Sequence, residues 1–80
     1  MKNLKVQYFA LFSELTGLSE EQLTTTASDI QALFVELRER HPGLQQFEQM
    51  KVAVNDEMAD WHTVLSDGDA VLLFPPVAGG

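Results

Sequence analysis

The sequence predicts an α+β fold, in which one main helix packs across one face of a small mixed sheet. Two apolar, β-prone runs, residues 4–9 and 71–74, stand near the two ends of the 80-residue chain. Between them, apolar residues recur at positions i, i+3, i+4 and i+7, which is the spacing of one helix face. A domain of this size buries only about 60% of the surface that its unfolded chain exposes, so it holds one modest core.

The first part of the chain predicts two strands with a short helix between them. The first strand covers residues 4–9, with Phe9 on its outward face. A helix of one or two turns follows over residues 10–16 and stops at Gly17, a residue suited to the left-handed position after a helix. A Thr-rich second strand over residues 22–26 pairs antiparallel with the first.

The main helix is predicted over residues 28–41. Ser28 is the expected N-cap, and Gln31 three residues later completes a capping box. Pro42 limits the helix at His41, because the residue before a proline disfavours helical backbone. The apolar stripe expected to face the sheet comprises Ile30, Leu33, Phe34 and Leu37.

The rest of the chain supplies the remaining strands. The predicted order is a polar connection over residues 44–50, a strand over 51–54, a turn at 55–56, an irregular stretch over 58–65, a tight turn at 66–69 and the final strand. The first and last strands are expected to lie centrally and parallel, joined by a right-handed crossover. This is the β-grasp, or ubiquitin-like, arrangement, with residues 1–74 as the domain and 75–80 as a flexible tail.

The charge balance and the lack of cysteine restrict the function. Twelve acidic residues against five Lys and Arg give a net charge of −7, which opposes binding to nucleic acid or to an anionic membrane. Without cysteine, disulfides, thiolate metal sites and cysteine nucleophiles are excluded. The chain shows neither the apolar stretch of a signal peptide nor a run long enough to span a bilayer. We therefore expect a soluble cytoplasmic protein.

No side-chain pattern predicts a catalyst or a metal site. Asp67 and Asp69 are two carboxylates without a third ligand in step, so a turn explains them better than a bound cation. His41 and His62 are isolated, and both are expected at the surface, while Trp61 is expected to cover the sheet's edge of the core. No Ser/His/Asp set, phosphate loop or pair of carboxylates at catalytic spacing is present.

The alternation of the last strand predicts an apolar surface on the outer face of the sheet. Val71 and Leu73 share one face, and if that face covers the helix, the residues between and after them point outward. Single exposed apolar residues are common, but several on adjacent strands favour a partner surface over scattered exposure. The residues expected there are Phe9, Met58, Leu72 and Phe74.

The C-terminal segment has the composition of a thin functional tail. Pro75 and Pro76 end the last strand, because neither offers an N–H to the ladder and both restrict φ. Gly79 and Gly80 lack a Cβ, so the backbone there can pass through a narrow channel. A frayed end is the alternative, since most chain ends are frayed. The position directly behind a strand and a proline pair favours the functional tail.

Several short motifs in the chain match those of a known family. They are Val54-Asn55, Leu65-Ser66-Asp67-Gly68-Asp69, Phe74-Pro75-Pro76-Val77 and Gly79-Gly80, together with the opening residues 6–17. In these motifs the chain resembles the small, sulfur-carrier subunits of molybdopterin synthase, within the MoaD/ThiS-type ubiquitin-like family. The likeness covers nearly the whole chain, although residues 20–50 match only in pattern.

The resemblance implies a sulfur carrier without catalytic side chains of its own. The family's terminal glycine, here Gly80, is adenylated with ATP by a ubiquitin-activating-like adenylyltransferase and converted to a thiocarboxylate with a sulfur donor. The tail then enters the large catalytic subunit and gives its sulfur to cyclic pyranopterin monophosphate, in molybdenum cofactor biosynthesis. By position, the resemblance assigns tail insertion to Pro75, Pro76, Val77, Ala78 and Gly79. It assigns the family's docking patch to Phe9, Met58 and Phe74. The family implies a heterotetramer of two large and two small subunits, with no cofactor bound to this chain.

Two other functions are compatible with such a tail. One is sulfur transfer to another product, such as the thiazole of thiamine, although thiazole-type carriers lack the proline pair. The other is a ubiquitin-like modifier, in which Gly80 forms an isopeptide bond with a lysine.

Overall fold

A computed structural model of the chain describes residues 1–46 and 51–74. These residues form strands, two α-helices and a short 3₁₀ helix. In chain order they are β1 (Lys2–Tyr8), α1 (Leu11–Thr16), β2 (Glu20–Thr25), α2 (Ile30–Arg40), the 3₁₀ helix (Pro42–Gln46), β3 (Lys51–Val54), β4 (Glu57–Ala59) and β5 (Ala70–Phe74). All the strands that the sequence predicts are therefore present, with small shifts at their ends.

The strands form one sheet in the order β2-β1-β5-β3-β4. β1 and β5 pair in parallel, with Val6 opposite Val71. The other strand pairings in the described part of the chain are antiparallel. The connection from β2 to β3 carries α2 across one face of this sheet, where both share one core. The predicted β-grasp arrangement, with its parallel pair inside the sheet, is confirmed.

The core lies between the inner face of the sheet and α2. Leu33 is 1% exposed, and the other residues of the predicted helix stripe are buried with it. The sheet contributes the alternating inward residues of its strands, among them Leu4, Val6, Val71 and Leu73. Their burial follows from the geometry of a strand, because consecutive side chains point to opposite faces.

The main helix starts two residues later than the sequence predicts. Its N-cap is Asp29 and not Ser28, because the Asp29 carboxylate accepts a hydrogen bond from the Ala32 N–H at 2.9 Å. Asp29 has extended backbone, and the carbonyl of Ser28 before it accepts from the Leu65 N–H at 2.9 Å. A β-bridge between Asp29 and Val64 belongs to the same pairing. This long-range pairing outcompetes the local capping box.

A further strand lies within the stretch that the sequence predicts as irregular. Glu57–Ala59 forms β4, which pairs antiparallel with β3. The turn before it holds Asn55 and Asp56 at φ 52° and 70°, a left-handed backbone that Asn and Asp adopt more readily than most residues. β4 has only 3 residues, too few to show the alternation by which a strand is recognised.

The short helix α1 ends as predicted at Gly17. The φ of Gly17 is 76°, and its N–H donates to the Ser13 carbonyl at 2.9 Å, which closes the last turn. Within residues 1–46 and 51–74, neither α-helix has the length and apolar character needed to cross a membrane.

Candidate functional site

The four residues predicted as a partner surface lie on the outer face of the sheet, the face turned away from α2. Phe9 and Met58 are exposed, at 61% and 66%. Leu72 and Phe74 are half-buried and alternate with the buried residues of β5. We call these four residues the outer-face patch.

The register of the sheet connects Met58 to the rest of the outer-face patch. Met58 pairs with Ala53 across β3 and β4, and Ala53 pairs with Leu72 across β3 and β5. Neighbouring strands lie about 4.8 Å apart, so Met58 and Leu72 are separated by roughly 10 Å, with Ala53 between them. Ala53 lies in this gap and is only 8% exposed, so the residue between Met58 and Leu72 is apolar but largely buried. The sequence does not single out Ala53, because alanine is small and only weakly apolar.

Phe9 lies at the point where the chain leaves the sheet. Its N–H donates to the Leu73 carbonyl at 3.0 Å, which fixes its backbone beside β5. The next residue, Ala10, has φ 53° and ψ −122°, a conformation that glycine adopts easily and alanine does not. Such a residue costs of order 1–3 kcal/mol, and it persists only where the surrounding structure holds it. The sharp turn at Ala10 directs the chain into α1 and leaves the Phe9 ring on the outer face.

The outer-face patch lies where the tail begins. β5 ends at Phe74, which is itself a patch residue. The predicted tail residues Pro75, Pro76, Val77, Ala78, Gly79 and Gly80 lie outside the described residues. A fully extended chain of this length spans at most about 20 Å. The tail can therefore reach the site of a partner bound to the outer-face patch if that site lies within about 20 Å of Phe74.

The carboxylates in the turn before β5 have structural roles. Asp67 Oδ1 accepts from the backbone N–H of Asn3 at 2.7 Å. The Asp69 carboxylate accepts from the Asn55 side-chain amide at 2.9 Å and from the Ser66 N–H at 2.8 Å. Asp67 thus joins the turn at residues 66–69 to β1, and Asp69 joins it to the turn at residues 55–56, so both carboxylates stabilise turns, as predicted. Among the described residues, no three His, Cys, Asp or Glu side chains are grouped so that they could hold a metal ion.

Comparisons with known proteins identify the family. A family model described as the ThiS family matches residues 6–80 of the chain. The chain belongs to the ThiS family. The Homo sapiens molybdopterin synthase sulfur carrier subunit is 36% identical over 83 residues, which cover 96% of this chain and 93% of that protein.

Two solved structures extend this likeness of the ThiS-family chain. A putative molybdopterin converting factor subunit 1 from Pyrococcus furiosus is similar with a TM-score of 0.85 and 32% identity, over 96% of this chain and 100% of the other. A complex of subunits 1 and 2 of the molybdopterin-converting factor from Helicobacter pylori contains a chain similar with a TM-score of 0.70 and 30% identity. That match covers 98% of this chain and 99% of the other.

The ThiS-family chain also contains a polar cluster on the inner face, which the sequence analysis missed. Glu21 Oε2 accepts from the Tyr8 hydroxyl at 2.5 Å and from His41 Nε2 at 2.6 Å. Its other oxygen, Oε1, accepts from Arg40 Nη1 at 3.1 Å. The expectation of His41 as an isolated surface residue is wrong, because its side chain is 13% exposed and bonded to Glu21.

Burial and hydrogen bonding set the charge states in this cluster. Burial raises the pKa of Glu21, but the hydrogen bonds from Tyr8, His41 and Arg40 outweigh it, so the net pKa lies below the ordinary value of 4.5. Burial and the hydrogen bond to Glu21 raise the pKa of Tyr8 above the ordinary value of 10.0, so its phenol stays protonated and donates. The cluster fastens β1, β2 and the end of α2 together, on the side opposite the outer-face patch.

Trp61 is partly buried and packs against the core, as predicted. Its ring stacks on Phe34 of α2, with 5.1 Å between centroids and 12° between planes. Trp61 therefore covers the helical side of the core. His62 is exposed, as expected.

Proposed function

We propose that this chain is the sulfur-carrier subunit of a molybdopterin synthase and that Gly80 carries the sulfur. The observation that carries the proposal is the match of the ThiS family model through to residue 80, which includes the Gly79-Gly80 pair. Likeness over nearly the whole chain to a relative named as a molybdopterin synthase sulfur carrier subunit supports this pathway. The pair Pro75-Pro76 supports it over a thiazole-type carrier.

The proposed chemistry takes place at the carboxylate of Gly80. A carboxylate is a poor electrophile, so one of its oxygens must first become part of a leaving group. Attack on the α-phosphate of ATP forms an acyl-adenylate and releases pyrophosphate. A sulfide equivalent from a sulfur donor then displaces AMP and leaves a thiocarboxylate. The thiocarboxylate gives its sulfur to cyclic pyranopterin monophosphate, and an oxygen from water restores the Gly80 carboxylate.

The division of labour in this scheme follows from the residues that the chain offers. The chain has no cysteine, so sulfur has no side chain on which to travel. The described residues supply a surface and a scaffold, while catalysis belongs to the partners. These are an adenylyltransferase that uses ATP, a sulfur donor, and a large subunit that holds the pterin. This chain binds no cofactor in the scheme.

The outer-face patch is the proposed contact with the large subunit. In the Helicobacter pylori structure, subunits 1 and 2 of the molybdopterin-converting factor form a complex. Phe9 and Met58 are large apolar side chains left in water, and fully burying such a side chain contributes about 1.5–3 kcal/mol. Their position beside Phe74 supports a docking mode in which the tail enters the large subunit at the rim of the contact. Two large and two small subunits are the proposed stoichiometry.

Intact mass spectrometry tests the proposal. After incubation with the cognate activating enzyme, ATP and a sulfur donor, the mass should rise by the difference between one sulfur and one oxygen. The loaded chain and the large subunit should then convert cyclic pyranopterin monophosphate to molybdopterin. The matched control lacks Gly80. It should stay folded, because the last residue of a domain rarely contributes to its core, and it should stay unmodified.

The outcomes separate the alternatives. A chain without Gly80 that still supports pterin sulfuration would contradict the carrier role. A thiocarboxylate accepted by a thiazole-forming enzyme and refused by the large subunit would favour the thiamine pathway. Adducts with lysine that resist reductant would favour a ubiquitin-like modifier.

A further inference from the structure

A groove beside β4 combines several features of a binding surface. It has a volume of about 580 Å³ and lies between the β3–β4 hairpin and the segment that leads to β5. The exposed Val64 and Met58 line it together with the half-buried Val54 and Ala59. Val64 is 72% exposed, and among the large apolar residues of the described chain only Met1 exceeds it. Val64 does not belong to the outer-face patch, so the proposed docking there leaves it in water.

The backbone of β4 supplies hydrogen-bonding groups along this groove. β4 is the outermost strand on its side of the sheet. In residues 1–46 and 51–74, its backbone bonds to β3 alone. The free side of an outermost strand offers N–H and C=O groups that an extended peptide can satisfy by adding a strand. Proline and lysine, which commonly protect such an edge, are absent from Glu57–Ala59.

The charge around the groove selects the occupant. Residues 52–74 carry acidic side chains at five positions and no Lys or Arg. Asp56 and Glu57 are exposed and, within the described residues, form no ion pair. A second copy of the chain would bring these carboxylates against one another, which costs free energy. A segment that carries Lys or Arg would neutralise them.

We propose that this groove binds an extended basic segment of a protein partner, which adds a strand to the free edge of β4. Alternate side chains of the added strand pack on Val64, because successive side chains point to opposite faces, and the side chains between them lie beside Met58 at the border of the outer-face patch. Its Lys or Arg side chains meet Asp56 and Glu57. The site goes beyond the sulfur chemistry, since it depends on the edge of the sheet and not on Gly80.

Amide chemical shifts of the isotope-labelled full chain test the binding. The probe is a short peptide of alternating Lys and Val residues, blocked at both ends. We expect saturable shifts confined to Glu57–Ala59, Thr63 and Val64, and weaker binding at high salt. The matched peptide with Glu in place of Lys should cause none. Equal shifts from the acidic peptide, no saturable shift, or shifts centred on another element would overturn the proposal.

Two matched variants locate the site. Val64→Ser should weaken peptide binding about tenfold, because it removes a central apolar contact. Val35→Ser changes an exposed valine on α2 that is not part of the groove, and it should leave the affinity unchanged. Both positions are exposed, so urea unfolding should show that both variants stay folded. An unchanged affinity in Val64→Ser, or equal losses in both, would overturn the proposal, as would shifts that depend on protein concentration without peptide.

Discussion

Replacement of Glu21 by glutamine should destabilise the domain and reduce its sensitivity to acid. The carboxylate accepts hydrogen bonds from Tyr8 at 2.5 Å, from His41 at 2.6 Å and from Arg40 at 3.1 Å. An amide offers only one acceptor oxygen, and its NH₂ group must face at least one of these donors. The substitution therefore leaves a partly buried donor without its acceptor.

The exposure of each contact sets the size of the loss. The side chains of Glu21 and His41 are both only 13% exposed. Hydrogen bonds to a charged group contribute about 1.5–3 kcal/mol each in such surroundings. The contact with Arg40 contributes only about 0–1 kcal/mol, because Arg40 is half-exposed and solvent screens the pair. We expect Glu21→Gln to lower the free energy of unfolding by about 2–4 kcal/mol, out of a typical total of about 5–15 kcal/mol.

The lowered pKa of Glu21 gives the sign of the pH dependence. In the folded chain this pKa lies below 4.5, the ordinary value that the unfolded chain retains, so the unfolded state binds the proton more readily. The stabilisation is complete above the unfolded pKa and is lost as the pH falls through the folded pKa. Glutamine does not titrate. Near neutral pH, the Glu21→Gln variant should therefore have a lower free energy of unfolding than the parent. As the pH falls, this free energy should decrease less in the variant than in the parent.

Urea unfolding near neutral pH and in acid measures both effects. Glu20→Gln is the matched control, because Glu20 lies in the same strand and pairs with Lys5 at 3.4 Å in an exposed contact. Its loss should change stability by no more than about 1 kcal/mol. A double-mutant cycle with Tyr8→Phe should show coupling to Glu21. A Glu21→Gln effect as small as that of Glu20→Gln would refute the reasoning, and so would parallel acid sensitivity in the variant and the parent.

Four further substitutions test the core, the outer-face patch and the strained backbone at Ala10. Leu33→Ala should cost about 2–5 kcal/mol in urea unfolding because Leu33 is fully buried, and an unchanged midpoint would contradict its place in the core. Phe9→Ala should weaken binding to the large subunit, measured by calorimetry, by more than about 1 kcal/mol, with little change in the stability of the domain. Phe74→Ala should weaken this binding and also lower the stability of the domain. An unchanged affinity in both variants would show that the outer-face patch is not part of the interface. Ala10→Gly should raise stability by up to about 1 kcal/mol, since glycine relieves the positive φ, whereas a loss would show that Ala10 is not strained.

The two faces of the sheet were predictable because alternation along a strand is a local property. Val71 and Leu73 are buried and Leu72 and Phe74 point outward, as their spacing in the sequence predicts. The same alternation along β1 predicts that Phe9, directly after that strand, also points outward. The position of Ala53 between Met58 and Leu72 was not predictable in the same way, since it depends on how β3 pairs with β4 and β5.

The start of the main helix was not predictable from the residues around it. Ser28 and Gln31 have the spacing of a capping box, and locally nothing opposes it. The hydrogen bond from the Leu65 N–H to the Ser28 carbonyl joins distant parts of the chain, and it ties Ser28 to the segment before β5. Asp29, which is bridged to Val64 and has extended backbone, is then the residue whose carboxylate caps the helix at the Ala32 N–H.

The Glu21 cluster favours one register between β1 and β2, although no pattern in the sequence predicts the cluster. Glu21 pairs with Val6 on the inner face of the sheet, and the end of α2 brings His41 to it. A slip of one residue between β1 and β2 would turn Glu21 to the outer face. The Tyr8 hydroxyl and the His41 ring would then lose their acceptor in a partly buried place, at a cost of about 1–3 kcal/mol for each group. In β2, the buried face is marked only by Leu23, which is apolar, and by Thr25, which is not. The hydrophobic pattern of β2 therefore specifies its register weakly. The cluster adds the penalty that makes a slipped register unfavourable, and it thereby holds β1 in the position from which Phe9 reaches the outer face.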